Sequence, residues 1–268
     1  MPTVARRGRR CRTSRSQWST VPPMNPRLAV VSGATGTLGS LVSALLAERG
    51  LTVVAVSRSG EPPSPGRAVS VAADVGSDDS IDVIRRALPD GDVAMVLHAI
   101  GLPASPGVLD VDPGLLAVAT NLKAGGLLRL LRAVDERIAE GTRVVAVGGH
   151  LGQEPSEHAP LAGVANAALA NLVRQLVRPL GARGASVHLV APGPFVSPRV
   201  ERLMAAKAAG DGVSPEDMWA AALAEYPTGA MPTADDVAAL IVGLLDVPSH
   251  VLTGSMLSLD GGIRRGIF

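Results

Sequence analysis

The chain has 268 residues, 47% of them hydrophobic and 18% charged. That suffices for one α/β domain with a large core, is too short for two, and excludes disorder over the bulk of the chain. Two Trp, one Tyr and two Phe leave a core of Ala, Val and Leu, and the single Cys11 excludes an intrachain disulfide or a cysteine-based zinc cage. Six of the 25 basic residues (Arg6, Arg7, Arg9, Arg10, Arg12, Arg15) fall within residues 1–24, leaving 19 basic against 24 acidic residues, a net of −5. The basicity belongs to a tail, and an acidic body is a poor partner for nucleic acid.

Residues 1–24 are rich in Arg, Ser, Thr and Pro and lack apolar periodicity. A disordered basic extension is expected there, with Met24 the natural start of the folded part and residues 25–268 forming one domain. The twin arginines lack the apolar stretch of an export signal. No uninterrupted apolar run reaches the length of a membrane span, and the expected location is cytoplasmic.

From Arg27 the pattern is regular. An apolar strand at Leu28–Ser32 precedes a glycine-rich turn, and helical spacing follows over Leu38–Arg49, with Gly50 suited to a C-terminal stop. A buried strand (Leu51–Val56), a strand (Ala68–Ala73) and a helix (Asp79–Leu88) come next, the helix capped by Ser77 or Asp78. Then come a strand (Val93–His98), one long helix (about Pro113–Ile138), a strand (Val144–Val147), a helix (Leu161–Arg178) and a strand (Val187–Val190). Strands alternating with helices and apolar throughout imply a doubly wound parallel sheet, the Rossmann arrangement.

The run Gly33-Ala34-Thr35-Gly36-Thr37-Leu38-Gly39 lies between the first strand and first helix. Glycines there let the backbone turn tightly and approach a pyrophosphate, which the helix N-terminus then binds. The second strand ends in Val56-Ser57-Arg58, where an NAD site would place a carboxylate. A cation there suits a 2′-phosphate, with Thr35 and Thr37 as further donors, and favours NADP(H) over NAD.

At this point the chain resembles a short-chain dehydrogenase/reductase over about residues 27–262. The glycine turn has the GxxGxxG spacing of the family's extended and atypical branches. Asp74-Val75 resembles the pair that holds the adenine. His98-Ala99-Ile100-Gly101 stands where the family usually has Asn-Asn-Ala-Gly, and Asn121-Leu122-Lys123 resembles the segment whose Asn bends the long helix. Pro192-Gly193-Pro194-Phe195-Val196-Ser197 resembles the loop beside the nicotinamide, and Thr253-Gly254 with Leu259-Asp260-Gly261-Gly262 resembles the C-terminal signature. The resemblance implies a seven-stranded sheet, and cofactor contacts at Gly33, Thr35, Gly36, Thr37, Leu38, Gly39, Arg58, Asp74, Val75, Ala99, Gly101, Pro192, Gly193, Phe195 and Ser197. It also implies a substrate lid at about 198–232 and a homo-oligomer, a dimer or tetramer built on two long helices.

The family's chemistry uses a Ser, a Tyr as general acid/base and a Lys that lowers the Tyr pKa. Here the fifth strand ends in Gly148-Gly149, the Tyr position thirteen residues on is Ala162, and the Lys position is Asn166, in a register fixed by Asn166-Ala167-Ala168-Leu169. Tyr226 is the only tyrosine and lies in the lid region, and the two lysines, Lys123 and Lys207, are elsewhere. The longer Tyr-to-Lys spacing of enoyl reductases does not fit either.

A positioned acid or base is typically worth about 10²–10⁴-fold, so ordinary carbonyl reduction is not expected. His150, with Glu154 or His158, supplies acid–base groups at the end of the fifth strand, or is part of a solvated polar loop. Asn121 is a second catalytic candidate or an inherited structural residue. Asn166 replaces Lys at the ribose or is a surface amide. His98 bonds the backbone or meets the cofactor, with the backbone reading favoured. In the lid, Met204, Met218 and Trp219 line a pocket or form the buried faces of two short helices, with Gly210 and Gly212 as breaks. No metal site is expected. Two functions follow as expectations. One is an NADP(H)-binding enzyme of non-standard chemistry on a small molecule: C=C or C=N reduction, or redox-neutral isomerisation, cyclisation or dehydration. The other is a non-catalytic subunit or regulator that pairs with an active relative.

Overall fold

A computed structural model describes residues 27–62 and 68–266, so the expected basic extension at 1–24 lies outside the described residues. The strands are β1 (Arg27–Ser32), β2 (Thr52–Ser57), β3 (Ala68–Ala72), β4 (Asp92–His98), β5 (Arg143–Val147), β6 (Ser186–Pro192) and β7 (Ser255–Leu259). They form one seven-stranded sheet in the order β3-β2-β1-β4-β5-β6-β7, parallel at every pairing. The expected doubly wound architecture and strand count are both found.

Alternation along each strand sends side chains to two cores. Leu28, Val30, Val54, Val56, Val144 and Ala146 face one side. Their neighbours Ala29, Val31, Val53, Ala55, Val145 and Val147 face the other. The first core is covered by α2 (Asp79–Ala87), α4 (Gly126–Val134) and α5 (Pro160–Gly181), and the second by α1 (Thr37–Glu48) and α8 (Ala234–Gly243). Both faces are dry, which is why the strands read as continuous apolar runs.

The long helix expected over 113–138 is divided. It runs as α3 (Pro113–Thr120), a π turn (Asn121–Gly125), α4, and a 3₁₀ turn (Asp135–Arg137). At the irregularity the Asn121 amide donates to Gly76 O (2.8 Å) and accepts from Arg129 Nη1 (2.9 Å). A side chain drawn sideways into a neighbouring loop is a known setting for such a turn. The stretch Pro113–Arg137 is long and apolar enough by composition to pass as a membrane span. Lys123, Arg129 and Arg132 interrupt it, and Leu127, Leu130 and Val134 are buried in the first core.

Other differences are local. Neither Ser77 nor Asp78 caps α2 through its side chain: Asp78 instead pairs with Arg129 at 2.6 Å. The segment expected as a lid forms α6 (Pro198–Asp211) and α7 (Pro215–Ala224), so Gly210 lies inside a helix and only Gly212, at φ 69°, ends one. Helix α8 and strand β7 were not among the expected elements.

Candidate functional site

Parallel strands place their following loops at one edge, and the motifs singled out in the sequence reach it except Thr253-Gly254, which precedes β7 and bonds Val187 at the start of β6. After β1, Gly33 has φ 75° and donates to Val56 O (3.0 Å), and a Cβ there would sit 2.5 Å from Ala99 O. A Cβ on Gly39 would run into the Gly33 carbonyl. Gly36 caps α1 without a side-chain bond, so Thr37 and Leu38 present helix-end N–H groups over the turn. Thr35 and Arg58 are exposed beside it, Arg58 directly after β2.

Asp74 is exposed and accepts from Gly76 N (2.9 Å), while Val75 is buried. Ala99 N donates to Ser32 O (3.0 Å), and Gly101 leaves open space where a side chain would stand. Pro192 ends β6; Gly193 donates to Leu259 O (3.0 Å) and packs so close to Asp260 that a Cβ would lie 2.9 Å from it. Phe195 packs against the second core. Ser197 caps α6, its Oγ accepting from Val200 N at 3.4 Å, so its side chain is occupied by the fold.

Two buried basic side chains lie behind this edge. Lys123 donates from Nζ to Val147 O (2.9 Å), and burial pushes its pKa down to about 8. His98 sits between Ser32 Oγ (2.8 Å) and Leu122 O (3.1 Å), and its pKa is pushed down to about 3 by burial and then by the charge of Lys123. His98 thus bonds the backbone, as favoured from the sequence.

The loop after β5 folds directly onto α5. Asn166 is buried, and a Cβ on Gly149 would sit 2.8 Å from its Nδ2, while its Oδ1 has no partner. Asn166 is therefore not a surface amide. Ala162 lies one turn earlier, half-buried. His150 opens a 3₁₀ turn (His150–Gly152) and is half-buried. The groups expected to assist it are engaged elsewhere. His158 is exposed and faces Glu157 at 3.5 Å. Glu154 accepts from Arg265 N (2.9 Å) and Gly266 N (3.1 Å), and those two N–H groups hold its carboxyl below the ordinary range. Asn121, the second catalytic candidate, has both ends of its amide taken by Gly76 and Arg129.

Tyr226 donates to Pro194 O (3.2 Å), and burial, then Asp260, pushes its phenol up. It packs under Gly261 as a strut between lid and tail. Of the lid side chains, Met218 is buried and Trp219 half-buried.

The tie between Glu154 and the tail, and the role of Arg264 beside it, had no signal in the sequence, since the contact joins residues 111 positions apart. A separate cleft of about 660 Å³, floored by Leu128, Leu131 and Leu176, lies by the last turns of α4 and α5, away from this edge. Among the described residues no group of three or more His, Cys, Asp or Glu side chains forms a metal site.

The strand order and alternating helices define a doubly wound α/β protein of the Rossmann class. A family model described as enoyl-(acyl carrier protein) reductase matches residues 33–264. A cis-4-hydroxycyclohexanecarboxylate dehydrogenase of Sinomonas cyclohexanicum is 30% identical over 250 residues, spanning 88% of this chain and 96% of the relative. Carbonyl reductase family member 4 of Danio rerio is 27% identical, spanning 89% and 98%. The chain belongs to the short-chain dehydrogenase/reductase family. Solved structures share the fold: a short-chain dehydrogenase family protein of Francisella tularensis (TM-score 0.80, 18% identity, 89% of this chain and 98% of that one), and an actinorhodin polyketide ketoreductase variant with NADPH (0.77, 21%, 90% and 98%).

Proposed function

We propose that the chain binds NADP(H) at the glycine turn and serves a small-molecule reaction other than ordinary ketone reduction. One arrangement carries the reading: Gly149, Ala162 and Asn166 stand where the family's proton-handling set belongs, with the Asn166 amide packed against Gly149. No phenol or ammonium comes from these positions, and the half-buried His150 is the titratable side chain nearest along the chain.

The residues present fit the cofactor. The turn at Gly33 and Gly39 is packed too tightly for any Cβ, which sets the sharp approach to α1, and the α1 N-terminus favours a diphosphate. Arg58 offers a cation to a 2′-phosphate, Asp74 and Val75 flank the adenine position, and the orphaned Asn166 Oδ1 is an acceptor for a ribose hydroxyl. When bound, a reduced nicotinamide supplies a hydride. Relatives named as dehydrogenases and reductases, and a fold neighbour solved with NADPH, support the cofactor class. C=C or C=N reduction, or a redox-neutral isomerisation, cyclisation or dehydration, are the reactions this set of residues suits, with His150 to move a proton.

A second reading is a non-catalytic subunit paired with a relative or with another copy. It is favoured by the exposed Leu115, Val118 and Val164 on α3 and α5.

Calorimetric titration with NADPH and NADH tests the first reading. NADPH should bind at least about tenfold more tightly, and Arg58→Ala should remove most of that preference. Ordinary ketones should be reduced negligibly, and His150→Ala should abolish the native reaction. Equal affinity for both cofactors, or robust ketone reduction by the unaltered protein, would overturn it.

A further inference from the structure

The tail after β7 crosses the functional edge. Its Gly261 packs on Tyr226, Asp260 and Ile263 lie against Gly193, and Glu154 holds the N–H groups of Arg265 and Gly266. Arg264 is thereby fixed between the loop after β5 and the loop after β6. Its side chain is only 17% exposed, and its Nη1 is buried with no hydrogen-bond partner among the described residues. The nearest carboxylate, Asp260, approaches Nε at 3.9 Å, beyond hydrogen-bond range, and already accepts from Gly262 N at 2.9 Å. Glu154, the other carboxylate close by, is occupied by the tail N–H groups. One residue earlier, Gln153 Oε1 is also buried without a partner.

A buried guanidinium nitrogen left unpartnered is costly, because it gives up its water and gains no acceptor in return. Such a group is retained where a ligand completes it. We propose that Arg264 anchors the carboxylate of an anionic small-molecule substrate, with Gln153 accepting a hydrogen from a hydroxyl or amide of the same molecule. The inference rests on the reading above that this edge is the substrate site. A carboxylate suits the position better than a phosphate, because Asp260 and Glu154 would oppose a dianion. Guanidinium–carboxylate pairs are charge-assisted and directional, so the anchor also sets which end of the substrate enters first.

The test is calorimetric titration of the full chain with hexanoate, benzoate and lactate and with their neutral amides, each with and without saturating NADP⁺. At least one acid should bind about tenfold or more tightly than its amide. Arg264→Gln should bring the pair within about twofold, and Arg264→Lys should recover part of the difference. NADP⁺ binding should be unchanged in both variants. Failure of every acid to bind, or an acid-to-amide ratio that survives Arg264→Gln, overturns the proposal. So does a fall in melting temperature in Arg264→Gln and Gln153→Ala with no change in that ratio, which marks the two as a structural pair. Loss of NADP⁺ binding by the parent with acid discrimination intact would instead sink the cofactor reading alone.

Discussion

His98 stands between the Ser32 hydroxyl and the Leu122 carbonyl, and the uncharged ring satisfies both: Nε2–H donates to the carbonyl and Nδ1 accepts from the hydroxyl. Burial first, then the charge of Lys123, holds its pKa at about 3, below the unfolded value of 6.5. His188, on β6, is held at about 4 by burial and then by Arg143. In the window between the folded and unfolded values the unfolded chain binds more protons, so stability is full above about pH 6.5 and is lost as pH falls. Melting temperature should decline from pH 6.5 to 4.5, and His98→Asn should flatten that decline. An unchanged slope in the variant would remove His98 as its source. A second residue-scale prediction concerns Gly149, whose φ of 177° suits any residue, so only contact opposes a side chain there. Gly149→Ser should cost about 1–3 kcal/mol by crowding Asn166 Nδ2. Asn166→Ala should relieve it, giving a coupling of at least about 0.5 kcal/mol in a double-mutant cycle read by urea unfolding. Additive effects would show that the amide moves aside freely.

At the scale of elements, the strands were legible because both faces are buried and each apolar run stops at a glycine or polar turn. The long helix was legible as one element and not as four, because the π turn leaves the apolar pattern continuous and depends on the distant Gly76 carbonyl. Strand β7 was missed because it lies at the sheet edge with the half-buried alternation of Ser255-Met256-Leu257-Ser258-Leu259. Helix α8 carried a readable start that was passed over. Thr233 Oγ1 accepts from Asp236 N (3.2 Å), and Asp236 Oδ2 accepts from Thr233 N (2.8 Å), a reciprocal capping box. Thr233→Ala should cost about 1 kcal/mol in urea unfolding, and Thr233→Ser should cost a few tenths at most. Equal losses in the two variants would place the effect in the methyl group and not in the cap. The glycine turn and the loop ends of this edge were legible almost residue by residue, since glycines and loop ends are local signals. The tail over it was not, because its partners are distant in sequence.

For the whole molecule, the two ends of the inner strand β5 divide the labour. Its far end carries Gly148, Gly149 and His150 into the functional edge. Its start holds Arg143, which is buried and donates to three carbonyls: Leu244 O (3.1 Å), Gly141 O (2.6 Å) and Val247 O (2.6 Å). These bonds fasten the start of the sheet to the segment after α8, about 100 residues away in the chain, and so close one core against water. With neutral acceptors throughout, the guanidinium is held by its fork geometry and not by an ion pair. Removing it leaves three carbonyls to find other partners in a site with little access to water, a loss of about 2–4 kcal/mol. Arg143→Met should therefore lower the melting temperature and the urea midpoint clearly. Arg143→Lys should recover less than half, since one ammonium cannot span all three acceptors. NADPH affinity of the folded variant should stay within about twofold of the parent, because the strand's two ends are separated by its whole length. A large loss of cofactor affinity with unaltered stability would show that the start of β5 communicates with the edge, and that the division between a stabilising end and a functional end does not hold in this chain.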